Sequence, residues 1–139
     1  MKLSTRNQWK GTVKSITVGV VNSEIKIALT ETVVVIAIIT NGSVKSLDLK
    51  VGDEVFALVK ASEVILGYEI GQISARNVFT GQVSELLLGA VNAEVTVDLG
   101  GGATVTSIIT KSSAERLGIT SGKTISAIVK ASSVMIGKE

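Results

Sequence analysis

Two short polar motifs each occur twice in this chain, with 70 residues between the copies. One motif is a serine followed two positions later by an arginine, and the other is a Lys-Ala-Ser tripeptide. Together they supply cationic groups and hydroxyls and no carboxylate, which is the donor set that a desolvated oxyanion needs. Charge-assisted hydrogen bonds contribute about 1.5–3 kcal/mol each, so about five of them reach micromolar affinity after the costs of binding.

Each repeated polar residue also has a plainer structural interpretation. Lys60 is typical of a solvated lysine that protects a strand edge. Asn7 and Asn77 are typical of turns in which the side chain bonds its own backbone. Asn22 and Asn92 suit turns or strand starts, and the repeated acids Glu24 and Glu94 are expected on a solvated strand face. No paired acid for general acid–base chemistry is visible.

Composition excludes several kinds of function. The chain has no His and no Cys, which removes thiolate nucleophiles, Ser-His triads, zinc fingers and imidazole metal sites. A carboxylate-based active site is compatible with the composition, but no nucleophile–base or paired-carboxylate arrangement is visible. We expect a protein that is not an enzyme and has no cofactor or bare metal ion. The N-terminal residues 1–7 contain no apolar signal core, so we expect a cytoplasmic protein. The longest apolar run, residues 33–39, is too short to span a bilayer, predicts a fully buried strand and gives no reason to expect a membrane partner.

An ungapped internal repeat organises the rest of the chain. Gly11 and Val13 fall on Gly81 and Val83 at the same offset, and the match continues to the last residues. The seam lies around residues 67–71, which predicts one module over residues 1–68 and a second over residues 69–139.

Each module is predicted to be mostly β. In the first, alternating and β-branched residues predict strands over 9–18, 21–29 and 33–40, an extended segment over 55–61 and a last short strand through 64–66. Thr40 and Thr110 suit the N-caps of short helices. Trp9 and Phe79 share one repeat position and are expected in the core. This order predicts an all-β chain with one short helix per module, folded as two tandem OB-like barrels. Because such small modules bury too little surface alone, we expect burial between copies or between chains.

The repeated motifs resemble those of the Mop domain. Ser-x-Arg-Asn at each module start, Gly-x-Val-Asn-x-Glu at the next turn and Val-Lys-Ala-Ser near the end are similar to that family's motifs. They cover both modules almost end to end, so the chain resembles a tandem-Mop molbindin. This resemblance implies molybdate or tungstate binding and storage in the cytoplasm, in a homotrimer whose oxyanion sites lie between subunits.

The resemblance also implies which residues form those sites. In the family, the Ser and Arg of the first motif and the Lys-Ala-Ser segment act with the backbone of the glycine turn of a neighbouring subunit. The residues that correspond here are Ser4, Arg6, Lys60, Ala61 and Ser62 with Val20, Val21 and Asn22, and Ser74, Arg76, Lys130, Ala131 and Ser132 with Ala90, Val91 and Asn92. Thr40 and Thr110 are secondary candidates for sites on the threefold axis. Thr5 stands where the family usually has alanine, as at Ala75, and we expect this change to alter affinity.

Two other functions are compatible with an OB-like barrel. Nucleic-acid binding would call for exposed stacking aromatics and a basic groove, whereas the chain has four aromatic residues and a net charge of +2. A stand-alone molybdate-sensing module is the second alternative, because the same modules occur in regulators that carry an additional DNA-binding domain. We expect self-association rather than a nucleic-acid partner.

Overall fold

The computed structural model describes residues 1–139 as ten strands and two short helices. The first half contains β1 (Asn7–Val18), β2 (Asn22–Ala28), β3 (Val34–Thr40), α1 (Asn41–Ser46), β4 (Glu54–Val59) and β5 (Ile65–Gly67). The second half contains β6 (Asn77–Leu88), β7 (Asn92–Gly100), β8 (Ala103–Thr110), α2 (Lys111–Arg116), β9 (Thr124–Val129) and β10 (Met135–Gly137). The predicted element order is therefore confirmed, with single 3₁₀ turns at Ala61–Glu63 and Ala131–Ser133.

The strands follow the alternation of apolar and polar residues. In β2, Ile25 and Ile27 are fully buried while Lys26 between them is exposed, as the period of two requires. The prediction that residues 33–39 form a fully buried strand is wrong, because Val34 is 43% exposed and only one face of β3 is covered. The strand lies at the edge of its sheet.

The two halves exchange their last strands. One sheet has the order β10-β4-β1-β2-β3 and the other β5-β9-β6-β7-β8, so each short final strand completes the sheet of the opposite half. In the first sheet Ile136 of β10 pairs with Ala57 of β4, and in the second Leu66 of β5 pairs with Ala127 of β9. Neither half is thus a complete barrel by itself.

One apolar core joins the halves. A single cluster of buried side chains includes Ile25 and Val55 from the first half and Val95 and Ile125 from the second. Trp9 and Phe79 meet edge to face, with ring centroids 6.3 Å apart, as expected for core anchors. The burial that a small module lacks is therefore supplied by its own tandem copy.

Two buried asparagines connect the halves through hydrogen bonds. Asn7 donates from Nδ2 to the carbonyl of Thr106 and accepts the amide of Thr106 at Oδ1, both at 2.8 Å. Asn77 makes the same pair of bonds to Ile36, at 2.8 and 2.7 Å. The alternative that these asparagines bond their own turns is therefore wrong. Each side chain instead satisfies the free backbone of an edge strand, β8 or β3.

The long first strand of each half bends sharply at a bulge. Pairing of β1 with β2 shifts register between Val13 and Ser15, and the corresponding shift in β6 lies between Val83 and Glu85. Gly11 permits the close approach, because a Cβ there would lie 2.6 Å from the carbonyl oxygen of Ala28. The bend lets one strand pair with β2 at one end and β4 at the other, which brings the start of β1 to the end of β4.

Candidate functional site

Five of the predicted oxyanion-binding residues line one pocket. Its volume is about 280 Å³, and its first-half lining consists of Ser4, Thr5, Arg6, Lys60, Ala61 and Ser62. Ile108 of β8 and Met135 of β10 complete it from the second half. The pocket therefore lies where the two halves meet and depends on the exchange of β10.

Strand register explains why these residues meet. Asn7 at the start of β1 is the cross-strand partner of Val59 at the end of β4. Arg6 and Lys60 are the next residues outward on each strand, so antiparallel pairing places them side by side. The clamp of Asn7 on Thr106 fixes the backbone immediately next to Arg6.

The Lys-Ala-Ser segment presents backbone donors as well as side chains. The predicted extended segment 55–61 ends two residues early, at Val59, and Ala61 begins a 3₁₀ turn. The amide of Glu63 donates to the carbonyl of Lys60 at 2.9 Å, which closes the turn. The amides of Ala61 and Ser62 lie in the first positions of this turn and have no acceptor within it. The Lys60 side chain, which immediately precedes this turn, is exposed to solvent.

Each candidate arginine contacts a carboxylate of the opposite half. Arg6 donates from Nη1 to Oε2 of Glu94 at 3.1 Å and from Nη2 to Oε1 of the same residue. Arg76 donates from Nη1 to Oε2 of Glu24 at 2.8 Å. Glu24 and Glu94 lie on partly solvated strand faces, where their side chains are 27% and 26% exposed. The hydrogen bond from Arg76 holds the pKa of the Glu24 carboxyl below its ordinary value.

The glycine-turn residues do not line this pocket within one chain. Val20 is 99% exposed, and Val21, Val91, Asn22 and Asn92 also face solvent. Asn22 and Asn92 begin β2 and β7, as the strand-start interpretation predicts. Each turn is closed by a backbone bond, from Gly19 to Asn22 at 2.9 Å and from Gly89 to Asn92 at 2.8 Å, so its exposed amides are held in place.

The second set of residues repeats the local geometry with one difference. Ser133 donates its amide to the carbonyl of Lys130 at 2.9 Å, and Ala131 is buried like Ala61. Arg76 borders a different pocket of about 370 Å³, whose lining includes Asn77 and Phe79 and excludes Ser74 and Lys130. The hydroxyl of Ser133 also donates to Glu63 at 3.2 Å, where the two 3₁₀ turns approach each other.

The secondary candidates Thr40 and Thr110 are helix caps. Their hydroxyl oxygens accept the amides of Ser43 and Ser113, each at 3.1 Å. Their side chains are exposed, and neither lines the pocket that contains Arg6.

The sequence singles out Glu24, Glu94 and Thr5, but it does not predict what surrounds their side chains. The acids that contact the arginines were visible as repeated polar positions, but their partners lie 88 and 52 residues away along the chain. Thr5 lines the pocket with a hydroxyl that is sealed from solvent and has no hydrogen-bond partner.

No group of three or more acidic side chains is placed to hold a metal ion. Neither helix has the length or the apolar character needed to cross a membrane.

The fold and the pocket define a class of protein: a tandem of OB-like half-barrels, joined by exchanged strands, with a donor-lined pocket at the joint. The chain belongs to the TOBE domain family, whose pattern matches residues 3–66 and again residues 73–136. This match confirms the resemblance to tandem Mop domains.

Named relatives support the same assignment. The chain is similar to the molybdenum-pterin-binding protein MopA of Rhodobacter capsulatus, with 43% identity over 138 residues, which is 98% of this chain and 52% of that protein. It is similar to the molybdenum transport protein ModE of Azotobacter vinelandii, with 42% identity over 137 residues, 98% of this chain and 51% of that protein. The chain thus spans about half the length of these curated relatives.

A solved structure matches over the full length. The cytoplasmic molybdate-binding protein ModG, crystallised with molybdate bound, is 44% identical in sequence and superposes with a TM-score of 0.94. The match covers 100% of both chains.

Proposed function

We propose that this protein binds molybdate, and tungstate in the same manner, and holds it without chemical change as a cytoplasmic store. The observation that carries the proposal is the single pocket that collects Ser4, Arg6, Lys60, Ala61 and Ser62. Similarity over the whole chain to the molybdate-binding ModG supports the choice of ligand.

The donors suit a tetrahedral dianion. Arg6 and Lys60 supply positive charge, the serine hydroxyls and the first amides of the 3₁₀ turn supply directional hydrogen bonds, and the apolar Ile108 and Met135 exclude water from one wall. We propose the equivalent role for Ser74, Arg76, Lys130, Ala131 and Ser132 in the second half. No side chain in this set is placed as a nucleophile with a neighbouring base, so the proposed role is binding rather than catalysis.

We propose that three chains assemble and that each pocket is completed by the glycine turn of a neighbour. The apolar side chains at these turns support this arrangement, since Val18, Val20 and Val21 on one turn and Leu87, Leu88 and Val91 on the other are all exposed. Exposed apolar clusters of this kind are typical of association surfaces. Residues Val20 to Asn22 and Ala90 to Asn92 would then contribute their amides to a partner's pocket.

The test is a calorimetric titration of the full chain with molybdate, tungstate, sulfate and phosphate. Molybdate and tungstate should bind with similar affinity and more tightly than the others, because phosphate is partly protonated and its O–H would find no acceptor in a donor cage. Equal affinities for all four anions would indicate a generic basic surface and contradict the proposal.

Light scattering on the same sample tests the assembly. The proposal requires a mass of three chains at micromolar concentration. A stable monomer would contradict the proposal that a neighbouring chain completes each pocket.

A further inference from the structure

The two arginine–glutamate pairs connect opposite halves of the chain. We infer that Glu94 and Glu24 set the affinity of the oxyanion sites, because each carboxylate occupies guanidinium donors that the ligand must take over. This inference rests on the proposed function and assigns a role to two acids outside the donor set. Glu94 and Glu24 are thus positioning residues that act through Arg6 and Arg76.

The geometry of the pairs shows the competition directly. Both terminal nitrogens of Arg6 donate to the two oxygens of Glu94, which is the forked arrangement that a tetrahedral oxyanion would also use. Arg76 uses Nη1 for Glu24. An arriving anion must therefore displace the carboxylate from these donors, and it meets a fixed negative charge as it does so.

Burial indicates which partner moves. Glu94 lies within β7, where its cross-strand partner is Ile108, a residue that lines the pocket. Arg6 precedes its strand, and its side chain is 50% exposed, about twice the exposure of the glutamate. The strand thus fixes the carboxylate, while the guanidinium faces solvent and is free to turn toward an anion in the pocket.

The charge state of Glu24 is fixed as well. The hydrogen bond from Arg76 lowers the pKa of Glu24, so this carboxylate remains ionised at neutral pH. Coulomb repulsion between a dianion and a carboxylate roughly 6 Å apart in water corresponds to about a tenfold change in affinity. Pre-ordering of the arginine by the glutamate acts in the opposite direction, so tighter binding in a variant without the carboxylate charge requires that the repulsion exceed this gain.

The connections predict which site responds to each substitution. Glu94 belongs to the second half but restrains Arg6 of the first set, and Glu24 belongs to the first half but restrains Arg76 of the second set. Glu94→Gln should therefore tighten the pocket that contains Ser4, and Glu24→Gln should tighten the pocket of the other half. The amide keeps the size of the side chain and removes its charge.

Glu54 offers a matched control. It lies 3.9 Å from Lys10, is 73% exposed and contacts neither arginine. Glu54→Gln makes the same change in net charge, so any general effect of a more positive surface appears in this variant too. At about 0.15 M salt such distant charges are largely screened.

The experiment is calorimetric titration of molybdate into the full chain and into Glu94→Gln, Glu24→Gln, the double variant and Glu54→Gln. We expect about tenfold tighter binding at one class of site in each single variant, at both classes in the double variant, and less than a twofold change in the control. Unchanged or weaker binding in the three test variants, with normal binding in the wild type, would overturn the role of the acids alone. A wild type that binds no molybdate would overturn the proposed function and this inference together.

A spectroscopic measurement separates competition from a purely structural role. With ¹³C-labelled glutamate, addition of molybdate to the wild type should shift the carboxyl signals of Glu24 and Glu94 as the guanidinium groups leave them, and the signal of Glu54 should stay fixed. Carboxyl signals of Glu24 and Glu94 that do not move when the sites fill would overturn the inference.

Discussion

Replacement of Asn7 by alanine should destabilise the protein by breaking the hydrogen bonds that this side chain makes across the joint between the halves. The Asn7 side chain is 2% exposed and bonds both backbone groups of Thr106, with a further bond from Nδ2 to the carbonyl of Val59 at 3.3 Å. Because Thr106 lies on the edge strand β8, no neighbouring strand can take over these bonds.

The magnitude follows from the groups left without partners. Alanine strands the amide and the carbonyl of Thr106, and each unsatisfied buried group costs about 1–3 kcal/mol. The bonds are only partly buried, so water can reach the edge after the substitution and the lower part of that range applies. We expect a loss of about 2–4 kcal/mol in the free energy of unfolding.

Chemical denaturation at fixed protein concentration, followed by the fluorescence of Trp9, measures this loss. Asn92→Ala is the control, because that asparagine is exposed at the start of β7, and its stability should remain within about 0.5 kcal/mol of the wild type. An Asn7→Ala variant within about 1 kcal/mol of the wild type would refute the view that this side chain holds the halves together.

Three further substitutions test other contacts. Lys138→Met removes the hydrogen bond that, more than any other cause, lowers the pKa of the Asp53 carboxyl. A carboxyl whose pKa is lower in the folded than in the unfolded protein stabilises the fold at pH values above its unfolded pKa. This stabilisation is lost as the pH falls through the folded-state pKa. The difference in melting temperature between wild type and variant should therefore narrow from pH 7 to pH 3. Thr5→Val removes a sealed, unpartnered hydroxyl and should raise the free energy of unfolding by about 1 kcal/mol, whereas a lower melting temperature would mean that the hydroxyl has a partner. Gly11→Ala should cost about 2 kcal/mol by forcing a Cβ against the backbone of β2, while Gly42→Ala, with its nearest atom 3.8 Å away, should not destabilise the chain in the same denaturation assay.

The sequence predicted the order of elements because the signals are local. Alternating β-branched residues, glycine turns and threonine caps specify strands and helices within a few residues of themselves. Gly100, Gly101 and Gly102 illustrate this, since all three adopt positive φ angles in the turn between β7 and β8. Only the ends of the elements were displaced, as at Val59.

Strand exchange could not be predicted in the same way. β5 and β10 are both short apolar strands that end in glycine, Ile65–Gly67 and Met135–Gly137, so the sequence does not distinguish which sheet each of them completes. The chain crosses between β4 of the first sheet and β5 of the second, through the 3₁₀ turn at Ala61–Glu63. Because the two halves have similar sequences, the sequence does not specify which half contributes its last strand to which sheet.

The candidate site was predictable only where it depends on the pairing of strands within one half. Ser4, Arg6 and Lys60 flank two strands that pair with each other, so their proximity follows from the fold class. Contact of Arg6 with Glu94 depends instead on the packing of one half against the other, across 88 residues of sequence. The repeated glutamates were visible at Glu24 and Glu94, but only the joined structure brings them to the arginines.

The most direct test of the account is the position of molybdenum in crystals of the protein grown with molybdate. Anomalous diffraction at the molybdenum absorption edge locates the metal without reference to any assumed site. The account predicts peaks beside Arg6 and Lys60 of the first half and beside Arg76 and Lys130 of the second, within hydrogen-bonding reach of the first amides of the 3₁₀ turns. Peaks confined to the helix caps at Thr40 and Thr110, or no peak at either arginine, would contradict it.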